Sequence, residues 1–328
     1  MQPFAYAAAP DVATVATRAM RGAEFIAGGT DMLQLLQEGV RRPEEITDIN
    51  GLPLSSVEEE PDGAIRLGTL ARLQEVADHA TVRQRFAVVA EALEATASPM
   101  VRHMATVGGN LLQRTRCLYF RDVTTPCNKR EPGSGCSAWD GQNRINAILG
   151  GSEACIAVHP SDLPVALIAV DAEVLIRHAD GAEHWVPIED FHRRPGDTPH
   201  IETVLRQGDL ILAIRIPAHA AGRRSHYVKV RDRASFAWAL ASAAVALRTD
   251  ETGTVVEARV AAGGVATKPW RLPQVEQALL GRRLDAAIAA QAAARATEGA
   301  APRHGNAFKV PLLRHTVERA LLELGGFA

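Results

Sequence analysis

The sequence contains only four cysteines, and all four lie between residues 117 and 155 of a 328-residue chain. Cysteines clustered in this way favour a bound metal over disulfides in a chain of this size. The chain also has no excess charge of one sign, since 36 Lys and Arg stand against 38 Asp and Glu for a net charge of −2. We therefore expect no nucleic-acid partner.

Long apolar runs and export signals are missing as well. No stretch of 18 consecutive apolar residues occurs in the sequence, so no membrane span is expected. The first twenty residues lack a basic segment, and Asp11 interrupts any apolar stretch there, which predicts that no signal peptide is present. We expect a chain that carries no export address of its own.

Motifs for catalysis by side chains are absent too. The sequence has no nucleophile elbow, no His-Glu-x-x-His pair and no evident acid–base pair. Its apolar fraction of 47% and charged fraction of 23% are those of a globular protein, and its length suggests about two domains. We interpret the chain as one that holds cofactors and leaves the bond chemistry to them.

Hydrophobic periodicity predicts mixed helix and strand, with a domain boundary at residues 218–222. Strands are predicted at residues 24–27, 46–49, 64–67, 210–216, 226–230 and 254–262, with a hairpin at 173–185. Helices are predicted at residues 11–20, 32–36, 69–79, 86–97, 236–247 and 286–296.

Two glycine pairs are candidates for holding a phosphate group. Gly28-Gly29 lies between a predicted strand and a predicted helix, and Gly108-Gly109 lies in a second polar loop. Glycines let backbone N–H groups approach a phosphate closely. Either loop alone is more typical of an ordinary tight turn, but two such loops can face one diphosphate from two sides.

The cysteine spacing, C-x9-C-x8-C-x18-C, lacks the closely spaced pair of a usual zinc site. Four thiolates can hold a [4Fe–4S] cluster without such a pair if the loop wraps around the cluster. Residues 114–131 carry five basic and two acidic side chains, which favours an anionic cluster. Zinc, and unligated or disulfide-bonded cysteines, remain alternatives at this point.

Taken together, residues 26–31 (IAGGTD), residues 106–110 (TVGGN) and residues 161–163 (SDL) resemble the FAD-binding subunit of the molybdenum hydroxylases. This is the family of the xanthine dehydrogenase and carbon monoxide dehydrogenase flavoproteins. The resemblance implies an α+β fold. Residues 1–217 would form a two-part FAD-binding domain of the p-cresol methylhydroxylase/vanillyl-alcohol oxidase type, and residues 222–328 a smaller C-terminal α/β domain.

The cysteine stretch, at about residues 114–159, resembles an insertion in the flavin subunit of the bacterial, periplasmic-type aldehyde oxidoreductase. That insertion carries a [4Fe–4S] cluster, so the resemblance implies cluster ligation by Cys117, Cys127, Cys136 and Cys155. A flavin subunit like that of 4-hydroxybenzoyl-CoA reductase, which also has a cluster-bearing insertion, or like that of xanthine dehydrogenase is the alternative.

The resemblance also implies FAD contacts from both glycine loops and from isolated positions further along the chain. Asp31 is unfavourable next to a diphosphate unless it caps the following helix and points away. For Asp162 and Lys229, a helix cap and a solvent-exposed strand lysine are the competing interpretations. The predicted FAD contacts are Ile26, Ala27, Gly28, Gly29, Thr30, Asp31, Met32, Leu33, Thr106, Gly109, Asn110, Asp162, Leu210 and Lys229.

The implied function is that of an electron-transfer subunit. A partner subunit with a molybdenum cofactor would oxidise an aldehyde to a carboxylic acid, a [2Fe–2S] subunit would relay electrons, and FAD here would pass them to an external acceptor. The chain would fold in the cytoplasm and could be exported with a partner that carries a twin-arginine signal. A self-sufficient flavin oxidase and a zinc-stabilised interaction protein are the alternatives from other classes.

Overall fold

The computed structural model describes residues 2–327, which form three β-sheets with helices packed around them. The strands are β1 (Ala5–Ala8), β2 (Glu24–Ile26), β3 (Glu45–Asp48), β4 (Val57–Glu59), β5 (Ile65–Gly68), β6 (Glu173–Arg177), β7 (Glu183–Pro187), β8 (Leu210–Ile216), β9 (Arg224–Val230), β10 (Ala241–Thr249), β11 (Val255–Gly263) and β12 (Trp270–Arg271). The helices are α1 (Val12–Met20), α2 (Met32–Gln37), α3 (Leu73–Asp78), α4 (Ala80–Arg85), α5 (Ala87–Glu94), α6 (Pro99–Met104), α7 (Val107–Leu111), α8 (Leu118–Arg121), α9 (Leu163–Ala169), α10 (Ile188–Phe191), α11 (Pro273–Leu279), α12 (Ala286–Ala294) and α13 (Lys309–Gly325). This mixture confirms the predicted α+β class.

The first sheet is parallel, with strand order β1-β3-β2. Helix α1 connects β1 to β2, and it begins after Asp11, whose carboxylate accepts the Thr14 N–H at 2.7 Å. Strand β2 lies at the edge of this sheet and leads directly into the first glycine loop, which α2 follows. The loop therefore lies at the carboxyl end of an edge strand.

The second sheet is antiparallel, with strand order β4-β5-β8-β6-β7. Its central strand, β8, is buried on both faces. Ile214 and Ile216 pack in the main core with α3, α5 and α9, whereas Leu210 and Leu212 pack in a smaller core with residues of the first sheet and its loops. Leu210 therefore lies in the space between the two sheets.

The third sheet is antiparallel, with strand order β12-β11-β10-β9 and helices α11 to α13 on one face. Its strand β10 replaces the helix predicted at residues 236–247, and that prediction was wrong. Ala243 and Val245 pack against the C-terminal helices, while Ala244 and Ala246 pack into the main core. Alanine alone favours a helix, but burial on two alternating faces needs an extended strand with small side chains.

The predicted boundary at residues 218–222 falls on a 3-10 turn before β9. The parts of the chain on either side of this turn share a core, because Tyr227 and Ala244 of the third sheet pack with α5 and α9. The division into residues 1–217 and 222–328 stays a prediction. Within residues 2–327, no helix is both long and apolar enough to cross a membrane.

Candidate functional site

A cavity of about 580 Å³ lies between the first two sheets and extends to the loop before β10. Its volume is that of a typical cofactor site. Its lining includes the first glycine loop (residues 26–32), the second glycine loop (residues 105–110), the start of the cysteine stretch, residues 205–211 and residues 236–238, together with residues 22–25, 69–70 and 96–97. We call it the large cavity.

Close backbone packing explains why the glycine loops need glycine. A Cβ atom on Gly28 would collide with the carbonyl group of Met104, and one on Gly108 would collide with the Thr69 side chain. Gly29 has a φ of +71°, in the left-handed region that favours glycine. Because side chains are excluded here, the cavity wall is formed by backbone, as a diphosphate site requires.

Within residues 2–327, the second glycine loop contains a buried side-chain amide oxygen without a partner, in a residue that lines the large cavity. Thr106 accepts the Gly109 N–H at 3.2 Å and so caps α7. Asn110 is only 6% exposed, and its Oδ1 atom has no hydrogen-bond partner among the residues that the structure describes. A buried polar atom without a partner is costly, so this amide suits a ligand that supplies a hydrogen-bond donor.

Asp31 occupies the N-cap position of α2, as expected from the sequence, but its side chain makes no capping hydrogen bond. Its carboxylate instead accepts hydrogen bonds from the Arg114 N–H, the Arg116 guanidinium and the Arg121 guanidinium, each at 2.8 Å. These three donors belong to the cysteine stretch. They compensate the negative charge beside the loop, so the carboxylate does not have to point away from an anionic ligand.

The structure places the predicted FAD contacts in two groups. Those that line the large cavity are Ile26, Ala27, Gly28, Gly29, Thr30, Asp31, Met32, Thr106, Gly109, Asn110 and Leu210. Leu33, Asp162 and Lys229 do not line it. Leu33 is 47% exposed on the outside of α2. The role of all these residues in binding FAD stays a prediction.

Asp162 and Lys229 form a buried ion pair behind the cavity wall. The Lys229 ammonium lies 2.7 Å from the Asp162 carboxylate, and each side chain is 3% exposed. The Tyr227 hydroxyl donates to the same carboxylate at 2.7 Å, and burial raises the pKa of Tyr227 well above its usual value, with the Asp162 charge adding to the effect. Thr96, which lines the large cavity, donates to it at 3.2 Å. The pair therefore joins the third sheet to the start of α9.

All four cysteines line a second, much smaller cavity, and all are free thiols. Cys117 accepts a hydrogen bond from the Asn146 amide at 3.6 Å, and Cys155 accepts one from the Ala157 N–H at 3.4 Å. Burial raises the pKa of Cys155 to about 12, so its thiol is much harder to ionise than that of an exposed cysteine. Within residues 2–327, no group of three or more His, Cys, Asp or Glu side chains could hold a single metal ion.

The positive charge of the cysteine stretch is largely compensated by neighbouring groups. Lys129 pairs with Glu202 at 2.7 Å and donates to the Pro199 carbonyl at 2.9 Å. Arg130 donates to the carbonyl groups of Tyr119 and Phe120 at 2.7 and 3.0 Å. These basic residues hold the loop in place. The excess of basic residues at positions 114–131 is therefore weaker evidence for an anionic cluster than it was from the sequence alone.

Adjacent residues of one segment line the two cavities. Arg114 and Arg116 line the large cavity, and Cys117 lines the cysteine cavity. Sequence reasoning did not identify Arg116 or the segments 205–209 and 236–238 as part of the site. None of these belongs to a recognisable motif, and only the position of Arg116 next to Cys117 gave a signal.

Comparison with known proteins identifies the family. Residues 2–219 match the family model of the FAD binding domain in molybdopterin dehydrogenase, and residues 226–324 match that of the CO dehydrogenase flavoprotein C-terminal domain. The chain is 44% identical to the aldehyde oxidoreductase FAD-binding subunit PaoB of Escherichia coli, over 98% of each chain. It is 26% identical to the carbon monoxide dehydrogenase medium chain of Hydrogenophaga pseudoflava, over 91% of this chain and 88% of that one.

Solved structures agree with this assignment. A carbon monoxide dehydrogenase structure from Hydrogenophaga pseudoflava superposes with a TM-score of 0.77 at 25% identity, covering 100% of both chains. Quinoline 2-oxidoreductase from Pseudomonas putida 86 has the same fold, with a TM-score of 0.76 at 22% identity over 99% of this chain and 98% of that one. The chain therefore belongs to the FAD-binding subunits of the molybdenum hydroxylase family, whose members are subunits of oxidoreductases.

Proposed function

We propose that the chain is the electron-transfer subunit of a molybdenum-dependent aldehyde oxidoreductase and holds both FAD and a [4Fe–4S] cluster. One observation carries the proposal: in a chain of an FAD-binding family, Arg116 lines the large cavity and the next residue, Cys117, lines the four-cysteine cavity. The 44% identity to an aldehyde oxidoreductase subunit supports the substrate class.

The residues of the large cavity fit FAD. Gly28 and Gly29 would bring backbone N–H groups to the diphosphate, and the Asn110 Oδ1 atom would accept a hydrogen bond from the cofactor. The ion pairs of Asp31 would keep the first glycine loop in position. Bound FAD supplies the exchange of two electrons with single-electron carriers, and the protein provides binding and electrostatics.

The cysteine cavity fits an iron–sulfur cluster by the chemistry of its donors. All four cysteines line this cavity without a disulfide, and three of the four residues are buried. The Asn146 amide and the Ala157 N–H would stabilise the thiolates by hydrogen bonds. A bound cluster supplies one-electron transfer, and in this proposal it acts as a relay, since Cys117 directly follows a residue that lines the large cavity.

The proposed assembly is a heterotrimer with a large subunit that holds the molybdenum cofactor and a small subunit with [2Fe–2S] clusters. A medium chain of carbon monoxide dehydrogenase among the relatives supports a multisubunit complex. In this proposal the partner converts an aldehyde to a carboxylic acid, and electrons leave this chain to an external acceptor. Folding in the cytoplasm, with export beside a partner that carries a twin-arginine signal, stays a prediction.

An anaerobic absorption spectrum of the purified chain, before and after dithionite, tests the proposal. We expect a structured flavin band on a broad iron–sulfur shoulder, both bleached by reduction. Flavin without the shoulder and without iron would overturn the cluster. A folded, colourless protein with stoichiometric zinc would contradict the binding of both cofactors and favour the alternative of a zinc-stabilised interaction protein.

Replacing Gly28 by alanine should weaken FAD binding at least about tenfold, because the new methyl group forces the first glycine loop away from the Met104 carbonyl. Isothermal titration of FAD into the deflavinated chain measures the effect. Gly51→Ala is the matched control, since a Cβ atom there meets nothing within 4 Å. Equal affinities of the two variants would contradict a role of this loop in FAD binding.

A further inference from the structure

The loop between β9 and β10, residues 231–240, places two aromatic side chains at the edge of the large cavity. Phe236 and Trp238 line the cavity, yet they remain 58% and 41% exposed. Phe236 has a φ of +53°, a left-handed conformation that is rare for a residue with a large side chain. Such a conformation persists only where neighbouring contacts hold the loop in place.

Arg116 makes the contact that reaches Trp238. Its guanidinium carbon lies 4.3 Å from the centroid of the Trp238 ring, and the same group donates to Asp31 and to the Gln34 side chain at 2.8 Å. A planar guanidinium can stack on a ring and form hydrogen bonds at its edge at the same time. One side chain thus joins the cysteine stretch, the first glycine loop and the loop before β10.

A second contact holds the same loop to the cysteine stretch. The Arg144 guanidinium forms a bidentate pair with the Asp232 carboxylate at 2.8 and 2.9 Å. This pair is about half exposed, so it contributes little by itself. It lies at the opposite end of the loop from Trp238, and the two contacts together fix the loop at both ends.

We propose that Arg116 is a positioning residue that closes the FAD cavity: it lies on Trp238 while paired with Asp31, and it thereby retains FAD and shields it from solvent. The inference rests on the proposed function, in that FAD occupies the large cavity. It assigns a role in the flavin site to a residue of the cysteine stretch and to an aromatic side chain of the C-terminal part.

The test uses the full chain and two single variants, Arg116→Lys and Trp238→Ala, with their double variant. Lysine keeps the charge beside Asp31 but cannot stack as a plane on the ring. Trp238 lies on an exposed loop outside the cysteine stretch, so its removal disturbs neither the core nor the cysteines. The readouts are the dissociation constant of FAD and the quenching of bound-flavin fluorescence by iodide.

Each single variant should weaken FAD binding about fivefold and raise iodide quenching. The double variant should bind FAD no more weakly than the single variant with the lower affinity, because both substitutions remove the same contact. Trp238→Phe should restore binding to within about twofold, since phenylalanine also offers a ring face. Arg303→Gln is the matched control: Arg303 stacks on Trp139 with 3.2 Å to the ring centroid, and neither residue lines the large cavity.

Additive effects, wild-type affinity of Trp238→Ala, or an equal effect of Arg303→Gln would overturn the role of Arg116. Failure of the proposed function gives a different result, because in that case the wild-type chain itself would not bind FAD. Iron content is measured in every variant. If Arg116→Lys loses iron, Trp238→Ala alone decides the outcome, since it leaves the neighbourhood of Cys117 unchanged.

Discussion

Replacing Cys155 by serine is expected to remove the iron–sulfur absorption and nearly all bound iron, while FAD stays bound. Cys155 is buried, and its sulfur lines the same cavity as the other three thiols. A serine hydroxyl is a poor ligand for iron in such a cluster, because it remains protonated where a thiol would ionise. We expect iron to fall from about four atoms per chain to close to none, as measured by colorimetric iron analysis and by the spectrum of the oxidised protein.

Ser137→Ala is the matched control for this substitution. Ser137 also lines the cysteine cavity and follows Cys136 directly, but it offers no thiolate. Its variant should keep the iron of the wild-type chain. Iron retained in Cys155→Ser would show that Cys155 is not a ligand, and zinc lost from it in place of iron would show a zinc site.

The same variant separates a relay from a structural brace once the chain is assembled with its partners. If Cys155→Ser lacks the cluster, keeps FAD and loses turnover, the cluster carries electrons. If turnover with the same acceptor persists in a folded complex without the cluster, the relay role is wrong and the cluster serves to hold the loop. Thermal unfolding of both complexes provides the check on folding.

Replacing Lys229 by methionine is expected to destabilise the protein by about 3 to 5 kcal/mol. Methionine preserves the apolar length of the side chain but leaves the Asp162 carboxylate buried without its cation. The Tyr227 and Thr96 hydroxyl groups still donate to that carboxylate, yet they carry no compensating charge. Urea unfolding at a fixed, saturating FAD concentration measures the loss.

Two further variants make this result interpretable. The double variant Asp162→Asn with Lys229→Met should recover part of the lost stability, because no unpaired charge remains in the core. Arg248→Met removes an ion pair with Glu257 that is 47% and 34% exposed, and it should cost less than about 1 kcal/mol. A Lys229→Met variant as stable as Arg248→Met would show that the buried pair does not hold the third sheet to the start of α9.

Local sequence patterns were sufficient for much of the fold. Strand β8 was predicted at the residues where it lies, and the hairpin of β6 and β7 was predicted around the correct turn. Such elements alternate in polarity or carry turn residues, so a short window contains the information. Strand β10 was missed because its alanines favour a helix locally, and only layers packed on both faces make it a strand.

The glycine loops and the cysteine cluster could be identified from the sequence because each consists of characteristic residue types that lie close together in the chain. Four cysteines within a short stretch, and glycine pairs beside predicted elements, pointed to cofactors before any coordinates. The family resemblance followed from the same residues. The sequence by itself therefore determined the class of fold, the flavin cofactor and the family.

Only the tertiary structure decided how these parts meet. The partners of Asp31 lie more than 80 positions along the chain, and Trp238 lies farther still from the loop that it approaches. The same holds for the ion pair of Asp162 with Lys229 and for the two cavities that Arg116 and Cys117 line. Contacts of this kind form because segments far apart in the sequence bury their surfaces against each other. The free energy of that burial cannot be predicted from a local pattern of residues.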